Sequence, residues 1–87
     1  MLNDKYNINQ YEILNLLYEY QIAKSKINLF SNKYSMDFLN FEKYVNSAQN
    51  ENFSEWDDYL EWKTYYRIAS EKSEFIKELS HESYKLS

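Results

Sequence analysis

The 87-residue chain has no glycine, no proline, no cysteine and a single histidine. Tight hairpin turns and sharp helix ends most often use Gly and Pro, so their absence argues against a many-stranded β fold and for a few long helices. Turns then fall to Asn, Ser and Asp. Without cysteine there is no disulfide frame, no thiolate zinc site and no nucleophilic or redox thiol. His81 is the lone imidazole, set in the polar tail, so a Ser-His-Asp arrangement has no specific support and no catalysis is expected. No apolar run approaches the length of a membrane span, and "MLNDKYNINQ" lacks the basic-then-apolar pattern of a signal peptide, so a cytoplasmic protein is expected.

What is present is aromatic and acidic: ten Tyr, five Phe, two Trp and a net charge of −4. Residues 1–44 balance five Lys against five acids, whereas residues 45–87 set five Lys and Arg against nine, so the surplus lies wholly in the second half. The lysines at 5, 24, 26, 33 and 43 are scattered rather than gathered into a basic stripe, which argues against direct nucleic-acid binding. The same lack of a lysine excess argues against a membrane-surface role.

Hydrophobic spacing predicts three helices. Ile13, Leu16, Tyr20, Ala23, Ile27, Phe30 and Tyr34 recur at steps of three and four, a heptad seam over about residues 9–33, with Leu14 and Leu17 widening it to a face. Such a rod is about 37 Å long and needs a long partner helix, in this chain or in a second copy. The seam residues Ile13, Leu16, Tyr20, Ile27 and Phe30 therefore serve either as internal scaffold or as a homodimer contact. "SNKYSMD" breaks the pattern, with Asp37 or Ser35 placed to cap a short helix over 37–49 carrying Phe38, Phe41, Val45 and Ala48. A third helix over 54–80 starts at Ser54, which forms a capping-box pattern with Asp57, and the tail "SHESYKLS" is expected to fray. The expected fold is all-α: one three-helix hairpin or bundle, two long helices with a short connecting one.

The stretch "SEWDDYLEW", Ser54 to Trp62, packs four carboxylates and three large aromatics into nine residues without a basic group. Asp57 with Glu61 and Glu55 with Asp58 each share a helix direction, but the two pairs diverge and no His or Cys completes either, so neither a metal nor another cofactor is expected. Glu55, Asp57 and Asp58 are favoured near a helix start by the macrodipole, at about 0.3–1 kcal/mol each. Glu61 and the aromatic fan of Trp56, Tyr59 and Trp62 are left over. With Tyr65 they read either as ordinary core or as anchors for a protein partner.

"KYSMDFLNFEKYV" at 33–45 followed by "NFSEWDDYLEWKTYYR" at 52–67 resembles small helical proteins of prokaryotes taken to be antitoxin components of type II toxin–antitoxin modules. The resemblance covers about residues 33–80. Tyr34, Met36, Phe38 and Phe41 match its turn and short helix, and Trp56, Asp57, Asp58, Tyr59, Trp62, Lys63 and Tyr65 match its last helix; Ser35 stands where Gly is usual, so a differently shaped turn is expected. It implies binding and neutralising a cognate protein. On that expectation the partner-binding residues are Trp56, Trp62 and Tyr65 as anchors, Tyr59 beside them, and Asp57, Asp58 and Glu61 meeting a basic toxin or nuclease. The DNA-reading basic segment such proteins often carry is missing. Two other readings use the same residues differently: a phage-type inhibitor imitating nucleic acid in a host defence nuclease, and a structural coiled-coil adaptor bound through the seam.

Overall fold

The computed structural model describes residues 9–47 and 51–86, with side chains through residue 80. Three helices follow one another: α1 (Gln10–Tyr34), α2 (Phe38–Ser47) and α3 (Phe53–Leu86), and no strand occurs among the described residues. Helices α1 and α3 pack antiparallel along their length, since Tyr34 reaches Asp58 at one end and Glu19 pairs with Lys72 further along. Helix α2 folds over the end where α1 finishes and α3 begins. The radius of gyration is 17.0 Å and the body measures 56 × 21 × 19 Å, against about 12 Å for a compact chain of this length.

Each helix end has a local cause. Asn9 caps α1 by accepting from the Glu12 backbone N–H at 2.9 Å, while the Glu12 carboxylate accepts from the Asn9 N–H, a complete capping box. At the other end Ser35 adopts the left-handed conformation (φ 53°, ψ 42°), and both its own N–H and that of Met36 return to the Ser31 carbonyl. This is the shape a glycine would suit; serine adopts it at a steric cost of about 1–2 kcal/mol. Asp37, not Ser35, caps α2 by accepting from the Asn40 N–H at 2.8 Å. The expected continuation of α2 to Ala48 falls outside the described residues.

Helix α3 starts one residue earlier than expected, capped by Asn52 instead of Ser54: the Glu55 N–H donates to the Asn52 side chain at 3.2 Å. Only Glu55 then lies in the first turn. Asp57 and Asp58 fall into the second, beyond the reach of the end-of-helix charge effect expected to favour them. The backbone also stays helical through Leu86 rather than fraying near residue 80. No Gly or Pro stands there to end it, and Glu78, Leu79, Glu82, Lys85 and Leu86 are good helix formers. The side chain of His81 lies outside the description.

The core sits at the α2 end. Trp62, Phe41 and Val45 are fully buried, with Phe38 and Tyr59 beside them, and Ile27, Phe30, Tyr34, Met36 and Trp56 close around. Trp62 stacks on Phe41 at 5.1 Å and on Phe30 at 5.6 Å and meets the edge of Phe38 at 5.7 Å. Offset and edge-on pairs at these separations add about 0.5–1.5 kcal/mol each to the area they bury. Along the remaining length, among the described residues, only Leu16, Ala23 and Ala69 are buried, the two alanines allowing α1 and α3 to approach closely. The seam is thus internal scaffold: Leu16, Tyr20, Ile27 and Phe30 are buried or half-buried, and Ile13 marks its exposed edge. Leu14 and Leu17 do not widen it; Leu14 is 63% exposed.

Candidate functional site

The carboxylates and aromatics of Ser54–Trp62 divide between an inner clasp and an outer face. Three tyrosine–carboxylate hydrogen bonds tie the helices together. Tyr34 of α1 donates to Asp58 of α3, Tyr44 of α2 donates to Glu55 of α3 at 3.0 Å, and Tyr59 of α3 donates to Glu42 of α2 at 2.7 Å. Lys33 adds an ion pair to Asp58 at 2.6 Å, and the Lys63 ammonium sits 5.7 Å from the centre of the Tyr59 ring. Hydrogen bonds to a charged group are stronger than neutral ones, so this clasp orients the three helices around Trp62.

Titration of the clasp follows from its geometry. Burial raises the Asp58 carboxyl, but the hydrogen bonds from Lys33 and Tyr34 and the Lys33 charge outweigh it and hold the group below its ordinary range. Burial first, then the hydrogen bond to Asp58 and the nearby negative charge, push the Tyr34 phenol well above its usual value. The Tyr44 phenol is raised chiefly by its hydrogen bond to Glu55.

Two expected partner-binding residues are therefore corrected. Trp62, at 0% exposure, and Tyr59, at 6%, are core and present no surface to a partner. Their spacing from Trp56 suggested a fan, but Phe38 and Phe41 of α2 cover that part of it completely. Asp58 is also committed, to Lys33 and Tyr34. Trp56 is half-buried edge-on against Tyr59, and Tyr65 is half-buried. The indole N–H of Trp62 has no acceptor.

Asp57 and Glu61 remain, both exposed and neither hydrogen-bonded nor ion-paired among the described residues. On a helix they are one turn apart, and the residues sharing their outward arc are Phe53, Leu60 and Thr64. Phe53 is 81% exposed and Leu60 57%. Sequence reasoning missed these two because it followed the fan of Trp56, Tyr59 and Trp62. Their spacing of seven, with Asp57 and Glu61 between and beside them, was the available signal of a second, outward one. Trp56 borders this arc on one side and Tyr65 on the other.

Among the described residues no group of three His, Cys, Asp or Glu side chains is placed to hold a metal ion. No helix there is long and apolar enough to cross a membrane. What the arrangement offers is an acidic surface with two apolar side chains projecting from it. No family model matches the chain, and no curated protein or solved structure matches it either.

Proposed function

We propose that the chain is an antitoxin-like protein-binding module whose outward α3 face, Phe53, Asp57, Leu60 and Glu61, holds and neutralises a basic partner. One observation carries this reading: Asp57 and Glu61 have no counter-ion among the described residues and alternate with two apolar side chains that the fold leaves in water. Uncompensated carboxylates steer a basic protein into place, and adjacent apolar groups supply the desolvated contact that holds it. Trp56 and Tyr65, half-buried on the margins, extend the contact with their exposed edges. The resemblance at residues 33–80 points to a toxin as the class of partner, with a basic nuclease surface as the chemistry that fits. The internal use of Trp62, Tyr59 and Asp58 makes them supports of this face instead of members of it.

The test is affinity capture from the native host with the wild-type chain and with Asp57→Lys/Glu61→Lys. Wild-type protein is expected to retain a basic protein and to relieve its toxicity on co-expression. The double reversal is expected to lose both while keeping its helical circular dichroism. Retention of the same partner at unchanged affinity by the reversed variant would remove the assignment.

A further inference from the structure

We propose that the outward face of α1 pairs with the same face of a second copy of this chain, antiparallel and two-fold, centred near residue 20. Tyr11, Leu14, Tyr18, Ile22 and Leu29 lie within an arc of roughly 80° on the side of α1 turned away from α3. All five are exposed, Tyr11 to 83%, Tyr18 to 65% and Leu29 to 62%. The strip runs for about 27 Å of helix and holds no charged side chain; Asn15 and Ser25 are its polar members. Scattered surface apolar residues are ordinary, but a continuous uncharged strip of this length is the mark of an interaction surface. Side chains of this size expose several hundred Å² together, of the order of the about 800 Å² per partner that stable interfaces bury.

The pattern on the strip identifies the occupant. Residues 11, 15, 18, 22, 25 and 29 follow the heptad steps of four and three. In an antiparallel pair whose facing residues sum to 40, Tyr11 meets Leu29, Tyr18 meets Ile22 and Asn15 meets Ser25. Every tyrosine is matched by an aliphatic side chain and the polar pair falls on itself. A parallel pair would set each tyrosine against its own copy and leave Ser25 opposite Ser25, an underfilled layer. The antiparallel arrangement also opposes the two helix dipoles favourably. Because the strip is uncharged, the net charge of −4 brings no local repulsion to the contact, and a charged partner finds nothing there to complement.

This inference is independent of the acidic face on α3. Light scattering of the full chain is expected to give twice the 10.7 kDa chain mass. In a two-fold contact each substitution acts twice, so Tyr18→Glu and Leu29→Glu are each expected to weaken dimerisation about 100-fold with unchanged helicity, both side chains being exposed in the single chain. Orientation is read from single cysteines, which the chain otherwise lacks. Asn15→Cys and Ser25→Cys are expected to cross-link when mixed and oxidised, and neither with itself. A monomer at every concentration, a dimer indifferent to both glutamates, or self-cross-linking of each cysteine variant would overturn the proposal. Asp57→Lys/Glu61→Lys should retain the dimer mass, so loss of the α3 face and loss of the α1 contact are distinguishable.

Discussion

The two ends of the molecule are built on different terms. At the α2 end three helices enclose a tryptophan with no exposure, ringed by Phe30, Phe38 and Phe41 and clasped by three tyrosine–carboxylate bonds. Along the rest of the rod two helices touch through Leu16, Ala23 and Ala69, and the ion pair between Lys72 and Glu19 is largely solvated. Two helices can bury one stripe each; a third is needed to close a core. The head therefore supplies most of the folding free energy, while the shaft displays surface. The apolar face of α1 lies on that shaft, and the acidic face of α3 lies on the outside of the head.

The sharpest way to break this comparison is to truncate one side chain in each region. Trp62→Ala should cost about 3–5 kcal/mol, enough to leave much of an 87-residue chain unfolded, whereas Leu16→Ala should cost about 2 kcal/mol because the open shaft can relax around it. Urea melts followed by circular dichroism measure both, and equal losses would contradict a stability concentrated in the head.

The clasp gives a smaller effect with a pH signature. Tyr34→Phe should cost about 1 kcal/mol at neutral pH. The Asp58 contribution, arising from a lowered folded pKa, is present above the ordinary carboxyl value of 3.8 and lost as pH falls through the folded value. The Tyr34 contribution has the opposite sign: it is complete below pH 10.0 and lost as pH rises through the elevated folded value. Stability of the wild type should therefore fall off above pH 10, and Tyr34→Phe should flatten that limb. The smallest effect lies at the hinge into the head, where Ser35→Gly should stabilise by about 0.5–1 kcal/mol, because the left-handed backbone costs glycine nothing.

Much of the fold was legible in the sequence because its signals are local and periodic. The seam from Leu16 to Phe30, the break around Ser35 and the short helix carrying Phe38, Phe41 and Val45 are where spacing placed them, and of the two cap candidates the fold uses Asp37. The site was less legible, for a physical reason. Helix spacing says that Trp56, Tyr59 and Trp62 fan out, but not how far α2 reaches around them. That depends on Phe38 and Phe41 docking from another helix, a tertiary fact. Likewise Leu14 shares a helix with the seam and differs only by facing the other way. A chain with apolar residues on both sides of α1 offers no single direction for reading which side is inside.

One measurement decides most directly whether Trp62 is the centre of the head or part of a binding surface. Trp56→Phe leaves Trp62 as the sole tryptophan, and its emission in the folded protein should be blue-shifted and shielded from acrylamide, moving to the red only on unfolding. Red-shifted emission, fully quenched by acrylamide while the chain remains helical, would put Trp62 in water and contradict the division between inner clasp and outer face.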